Sequence, residues 1–427
     1  MKNIAWLFSD TMLRMISAFI VGILVARYMG VENFGLYNYI LAVFSIFISL
    51  STLGMNGVVV KELVGSNVKE EIIGSALFLQ RIGAFFSSII LIFWAVIFNS
   101  DKPKDFLIVF ILVLPTLLIQ SSNIYKYWFE YKVQSKYTVI SQNLALIVGV
   151  ILKVLVIYFK ANYIYIVAIS IVEQLILTIG LRLFFNKYNP KFRLKINRGI
   201  CLDLLSKSWP LVLSGLAFVL YVRLDQIMIG ELLGIAEVGI FSVAVKLIEV
   251  WYFFPAIVVS TLFPALIKLR SESLEEYNHK MQLLYDLVSL VGFTLIIGTA
   301  IFGDLIIKYT FGSQYIESAF QLKLYSVVCL FYFFNSVSGR WYINEGMQKV
   351  ALFRNILGLI IAFMLNLILI PRLGLTGATF STILAYIAST YIFDIFNCKT
   401  RIVFFQKTRS LWVFGAIKRL KKEYLAK

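Results

Sequence analysis

Twelve apolar runs follow one another along this chain, each near the roughly twenty residues a helix needs to cross hydrocarbon. They cover residues 4–28, 36–59, 75–98, 106–127, 138–159 and 164–184, then 208–230, 238–267, 283–307, 322–342, 351–370 and 376–396. In lipid every backbone amide must find its partner inside the protein, so runs of this length are expected as helices and the chain as an all-α integral membrane protein. Composition agrees: 60% of the 427 residues are hydrophobic and only 15% are charged, against nearly half and a quarter in a soluble domain.

The net charge of +17 invites a nucleic-acid reading. The basic residues instead punctuate the apolar runs, which makes them topology signals and excludes a nucleic-acid partner. Most lie between runs on one side, a bias that places both termini in the cytoplasm. The N-terminal run is interrupted by Asp10 and Arg14 and lacks a small-residue cleavage site, so it is expected as a retained first helix. Six runs stand on each side of a basic connection holding Arg182, Lys187, Lys191, Arg193, Lys195, Arg198 and Lys207 against a single Asp203. The expected division is 1–185 for an N-terminal lobe, 186–207 for a cytoplasmic linker, 208–396 for a C-terminal lobe and 397–427 for a basic cytoplasmic tail. In that tail Lys418, Arg419, Lys421, Lys422 and Lys427 follow Trp412 and Phe414, a composition suited to an anionic leaflet surface. Cys201, Cys329 and Cys398 are scattered and His279 is the sole histidine, which argues against a metal or His-based hydrolytic centre.

The two halves repeat. Gly30, Gly35 and Tyr37 between the first two runs are answered by Gly234, Gly239 and Phe241, an offset of about 204 residues that reads as an internal duplication. The glycines are expected to serve tight turns and close helix entry. Four prolines, Pro115, Pro210, Pro255 and Pro264, lie in or at the ends of runs, where each can bend a helix.

A charge at bilayer depth costs at least about 2.5–3.5 kcal/mol, so it should face a partner or a polar cavity. Asp10 and Arg14 stand one turn apart and share a face with Ser17. The repeat carries that face onto Ser214, Phe218, Tyr221 and Asp225, and so turns Asp225 away from lipid. Ala42, Ser45 and Ser49 map in the same way onto Lys246, Glu249 and Phe253, and Lys246 can pair with Glu249. Gln142, Gly149 and Lys153 share one face of the fifth run. Lys153 has no acid one turn away and needs a partner on another helix or an anionic ligand. Arg14, Arg81, Lys153, Arg223 and Lys246 are therefore candidates for an anion-accepting site. Asp10, Glu173, Asp225 and Glu249 are candidates for a coupling proton or sodium ion, or for neutralising the cations. The alternatives are structural ion pairs and, for Arg81, Arg223 and Asp394, end residues reaching to an interface.

Several segments carry a family resemblance. Val25-Ala26-Arg27-Tyr28-Met29-Gly30-Val31-Glu32-Asn33-Phe34-Gly35-Leu36-Tyr37, then Leu53-Gly54-Met55-Asn56-Gly57 and Val60-Lys61-Glu62-Leu63, resemble the opening of the Wzx-type O-antigen and polysaccharide flippases. These belong to the multidrug/oligosaccharidyl-lipid/polysaccharide exporter superfamily. Gly339-Arg340, Glu345-Gly346-Met347-Gln348-Lys349 and Ile370-Pro371-Arg372-Leu373-Gly374-Leu375-Thr376-Gly377-Ala378 are similar to the late loops of that family. Lys61 departs from the arginine frequent there but keeps its charge. The resemblance implies twelve helices in two pseudo-symmetric six-helix lobes around a central cavity. It implies a flippase, not an enzyme, that moves undecaprenyl-pyrophosphate-linked oligosaccharide units (O-antigen or capsular polysaccharide) across a bacterial inner membrane by alternating access. Its partners would be the lipid-linked oligosaccharide and membrane lipid, with a polysaccharide polymerase and a chain-length regulator as candidate protein partners, and the protein itself a monomer. No cofactor is implied beyond a coupling proton or sodium ion, and Arg14, Arg223 and Lys246 would receive the lipid pyrophosphate.

The rivals are a drug/cation antiporter, a lipid II flippase and a membrane polysaccharide polymerase or ligase. An antiporter of organic cations should carry an acidic cavity, and a lipid II flippase often has helices beyond twelve. A polymerase or ligase needs catalytic groups outside the membrane, where the connections here are short.

Overall fold

Long apolar runs without a local alternative for their amides fold here as helices, and among the described residues every regular element is helical. The structure is a computed structural model that describes residues 2–97, 103 and 105–425; side chains are described from Arg14 onward, apart from residues 98–102, 104, 122, 264 and 424–427. Contacts divide the chain into two units, Met1–Arg223 and Leu224–Lys427, a boundary that falls inside a helix.

In the first unit the helices are α1 (Lys2–Ser51), α2 (Met55–Gly65), α3 (Lys69–Ile97), α4 (Phe106–Val113), α5 (Pro115–Gln120), α6 (Ile124–Tyr131), α7 (Ser135–Tyr158), α8 (Ile164–Tyr188) and the first part of α9 (Arg198–Leu232). The second unit holds the rest of α9, then α10 (Ile235–Glu249), α11 (Phe253–Glu272), α12 (Leu274–Thr310), α13 (Ser318–Asn344), α14 (Gln348–Leu373), α15 (Leu375–Thr390), α16 (Arg401–Leu411) and α17 (Val413–Leu425).

Eleven of the described helical segments are long and apolar enough to cross a membrane. The first, Arg14–Gly65, has 52 residues, which as a straight helix would run about 78 Å at 1.5 Å per residue. That is more than twice the hydrocarbon thickness, and the chain reverses at Gly30. Before Gly30, α1 runs beside α7, with Arg14 against Gln142 and Tyr28 against Ala161. After it, α1 runs antiparallel to α3, with Tyr39 against Trp94 and Thr52 against Gln80. The first segment therefore supplies two crossings, and the total is the twelve that the apolar runs predict.

The reversal needs one residue. Gly30 has φ 75° and ψ 174°, and its counterpart Gly234, which opens α10, has φ 110° and ψ 170°. This region of backbone space is essentially closed to residues with a Cβ. Proline accounts for further breaks: Pro115 starts α5 directly after α4, and Pro255 lies near the start of α11, just past a 3-10 turn at Val250–Tyr252. Pro210 is absorbed inside α9.

The basic connection does not hang free in the first unit. Lys195 N donates to the Glu70 carbonyl (3.3 Å), Arg193 N to Glu70 Oε1 (3.1 Å) and Asn197 Nδ2 to Glu71 Oε2 (2.6 Å). Asn197 N also donates to Ser75 Oγ (3.0 Å), and its Oδ1 accepts from Gly199 N (2.9 Å) at the start of α9. Gly74 makes this approach possible, because a Cβ there would stand 2.1 Å from the Lys195 carbonyl oxygen. The segment lies strapped along the first turns of α3.

In the second unit α16 and α17 fold back on α12. Gln282 Nε2 donates to the Gln406 carbonyl (3.0 Å) and Ser289 Oγ to the Ser410 carbonyl (2.8 Å). Arg419 grips the buried Asp286 with two hydrogen bonds of 2.7 and 2.8 Å. Asp394 does not reach to an interface: it is fully buried, with Lys407 Nζ 2.7 Å away and the Tyr342 hydroxyl donating to its other oxygen. Arg354, also buried, lies over the Tyr342 ring and donates to Ser338 Oγ (2.8 Å).

Candidate functional site

The apolar helices α1, α7 and α8 bring three of the singled-out ionisable side chains into the interior of the first unit. Arg14, half-buried on α1, donates from Nη1 to Gln142 Oε1 on α7 (2.7 Å). Two turns along the same face of α7, Gly149 leaves a gap that Glu173 of α8 fills: a Cβ at Gly149 would stand 1.7 Å from Glu173 Oε1. Through that gap the carboxylate reaches Lys153 Nζ at 2.7 Å. The Lys153 side chain is 15% exposed and that of Glu173 29%. The partner that Lys153 needs is thus an acid on the neighbouring helix. At bilayer depth the pair replaces two isolated charges with one compensated dipole.

Asp10 lies in α1, but its side chain falls outside the described residues. Arg81 is exposed on α3 on the same side as Phe78, Ile82 and Phe85, the apolar outer face of that helix, and away from Gln80 and Ala84, which are buried. Arg223 is half-buried on α9.

The second unit holds the other polar centre. Asp225 of α9 is 4% exposed and accepts from Asn366 Nδ2 of α14 (2.7 Å) and Thr382 Oγ1 of α15 (2.5 Å). Both donors are neutral, so the hydrogen bonds stabilise the carboxylate without cancelling its charge. Asn366 is fully buried, and while its amide nitrogen is spent on Asp225, its Oδ1 has no hydrogen-bond partner. A buried acceptor left unmade costs roughly 1–3 kcal/mol. A carboxylate beside an orphaned amide oxygen and a hydroxyl is an all-oxygen set able to take a proton on Asp225 or a small hard cation. Lys246 and Glu249 stand one turn apart near the end of α10, both half-buried.

Sequence reasoning singled out Asp225 but neither Asn366 nor Thr382, whose neutral side chains give no charge signal in an apolar run. It also passed over Asp286, Arg354 and Lys407. Asp286 and Arg354 lie a few residues inside apolar runs, where they look like ordinary interfacial charges.

The model of the family described as "Polysaccharide biosynthesis protein" matches residues 1–270 of this chain. An uncharacterised membrane protein of Methanocaldococcus jannaschii is 22% identical over 428 residues, covering 92% of this chain and 83% of its own. Among solved structures, the lipid II flippase MurJ in an inward closed conformation is similar with a TM-score of 0.75 at 15% identity, over 98% of this chain and 97% of its own. An inward-facing multidrug resistance MATE family transporter of the MOP superfamily has a TM-score of 0.67 at 13% identity over the full length of both chains. A MOP superfamily transporter from Pyrococcus furiosus has a TM-score of 0.59 at 13% identity, over 96% of this chain and 95% of its own. At such identities the likeness is one of fold. The family match, spanning more than half of the chain, goes further: the chain belongs to the polysaccharide biosynthesis protein family.

Proposed function

We propose that this protein flips undecaprenyl-pyrophosphate-linked oligosaccharide repeat units, of O-antigen or capsule type, from the cytoplasmic to the outer leaflet of a bacterial inner membrane. Transport proceeds by alternating access and is coupled to a proton or sodium ion, with both termini in the cytoplasm. The observation that carries the coupled reading is the Asp225–Asn366–Thr382 cluster, a buried carboxylate with neutral donors and an orphaned amide oxygen beside it. The ion is cargo, bound as the transporter cycles.

Arg14, Arg223 and Lys246 are assigned to the anionic head of the lipid. Arg14 donates to the neutral side-chain amide of Gln142 on α7, a contact that a pyrophosphate can replace with a charge-assisted one. Lys153 is assigned the same role only in exchange for its bond to Glu173, and Arg81 only at the lipid-facing edge. Of the acids, Asp225 is the foremost coupling residue. Asp10 and Glu249 stay candidates, and Glu173 acts chiefly as the charge partner of Lys153. A polysaccharide polymerase and a chain-length regulator are the expected neighbours in the membrane.

The likeness in fold to a lipid II flippase favours a second reading, in which the lipid carrier bears a peptidoglycan precursor instead. One experiment separates the two. Proteoliposomes are loaded with undecaprenyl-pyrophosphate oligosaccharides or with lipid II, and flipping is followed under imposed proton and sodium gradients. Flipping of the oligosaccharide lipids, accelerated by one gradient and lost in Arg14→Ala, supports the proposal. Flipping of lipid II alone would replace the substrate, and indifference to both gradients would remove the coupling.

A further inference from the structure

The two C-terminal helices sort their residues by face. Toward α12 they turn Val403, Gln406, Lys407, Ser410 and Ala416, all buried, and the two cations on that side are neutralised internally, Lys407 by Asp394 and Arg419 by Asp286. Glu423, the single acid after Asp394, is also spent inward, on His279 (3.1 Å) and Lys280. The rest of their surface is different in kind. It exposes Ile402, Phe405, Trp412, Phe414 and Ile417, with Trp412 at 67% and Phe414 at 79% exposure. The exposed cations beside them, Arg409, Lys418, Lys421 and Lys422, have no acidic partner among the described residues.

Position narrows what can cover such a face. The last spanning segment ends at Ile395 and α16 begins at Arg401. The five residues between reach at most about 18 Å even when extended, so α16 starts beside the membrane boundary. A cleft of about 520 Å³ opens between α16 and α12, where Ile402, Phe405 and Arg409 meet Asn278 and His279 beside the buried Gln282 and Gln406. Aromatic and aliphatic side chains interleaved with cations, on helices that run down and back along the first turns of α12, match the interfacial zone of a leaflet bearing negative headgroups.

We infer that α16 and α17 form an interfacial platform that binds anionic phospholipid of the adjoining leaflet. Arg409 at the cleft and Lys418, Lys421 and Lys422 along α17 meet lipid phosphates. Trp412, Phe414 and Ile417 sink into the acyl boundary, while the Arg419–Asp286 and Glu423–Lys280 bonds hold the platform to α12. The tail is then part of the membrane-embedded surface of the transporter, and headgroup charge sets how firmly it seats. This inference rests on the membrane fold alone and stands whichever lipid carrier is transported.

The test uses the whole protein in phosphatidylcholine vesicles doped with a photoactivatable lipid, either phosphatidylglycerol or phosphatidylcholine, with crosslinked peptides read by mass spectrometry. The comparison is a variant combining Arg409→Gln, Lys418→Gln, Lys421→Gln and Lys422→Gln, which leaves the bonds to α12 in place. Crosslinks to residues 401–422 are expected to be at least about fivefold richer with the anionic probe, and that excess is expected to vanish in the variant. Crosslinks to α12 and α13 should stay unchanged in both proteins, which guards against misfolding. Equal labelling by both probes would overturn the charge-based assignment. An unlabelled tail in a protein whose spanning helices label normally, or a tail crosslinked to a second copy of the chain, would overturn the platform itself.

Discussion

Glu173 Oε1 stands 2.7 Å from Lys153 Nζ, and it gets there by crossing α7 at the one residue without a side chain, Gly149. The ion pair and the glycine form a single device, since the acid can reach the lysine only over a bare stretch of backbone. Lys153→Met should therefore leave Glu173 uncompensated and cost roughly 1–3 kcal/mol, less than for a fully buried pair because the acid keeps some exposure. The double variant Lys153→Met with Glu173→Gln should recover most of that loss in the melting temperature of the purified protein. If the double variant is stable yet flips no lipid, Lys153 serves the substrate as well as the fold.

Gly149→Ala puts a methyl group where the carboxylate now lies. The expected result is a drop in melting temperature at least as large as that of Lys153→Met, with Glu173→Ala restoring part of it by clearing the space. A Gly149→Ala protein as stable as the parent would mean that α8 does not pack on α7 in this way.

Asp225→Asn keeps the shape of the buried cluster and removes its charge. Protein of normal stability is expected, with the acceleration of flipping by the driving ion gradient reduced at least about tenfold, measured in proteoliposomes. Asn366→Leu should weaken the same response, because it removes the orphaned amide oxygen next to the carboxylate.

Gly30→Ala and Gly234→Ala each force a Cβ into backbone space reserved for glycine, at a cost of roughly 1–3 kcal/mol apiece. Two losses of similar size in thermal unfolding would express the repeat as energy. A loss at one site alone would mean that the two turns carry unequal strain.

Lys280 and His279 together hold the Glu423 carboxyl below its ordinary range, Lys280 having the larger effect. A depressed carboxyl contributes stability above the unfolded value near 4.5, and that contribution is lost as pH falls through the folded value. Acidification below about pH 4.5 should thus loosen α17, seen as faster amide hydrogen exchange across residues 413–425. Glu423→Gln should show the looser exchange already at neutral pH and little further change on acidification.

Spanning helices were legible in the sequence because lipid imposes one solution on a long apolar run. The turn at Gly30 was legible because the chain writes it a second time, and Gly234 adopts nearly the same backbone. The need of Lys153 for a partner off its own helix was also legible. The identity of that partner was not, since nothing in the sequence aligns Glu173 with the bare patch at Gly149. Asp286 meets Arg419 across 133 residues of chain, and a lone acid near the end of an apolar run gives no hint of it. Asp394 read as a residue reaching to the interface because the cation that buries with it, Lys407, belongs to a segment that looked like a loose tail. Polar centres built from neutral side chains, such as Asn366 and Thr382 around Asp225, stay silent in composition altogether.

The strap of Arg193, Lys195 and Asn197 along α3 bears on how the sidedness of this protein can be measured. The basic connection is where a fused reporter or a protease site would ordinarily be inserted, as a passive flag between two halves. Here an insertion at Lys195 would pull Asn197 from Ser75 and Glu71, strip α9 of the amide that caps its first turn, and uncover the backbone that Gly74 was placed to receive. A reporter at that point would record whether the first unit had assembled before it recorded which side of the membrane it was on.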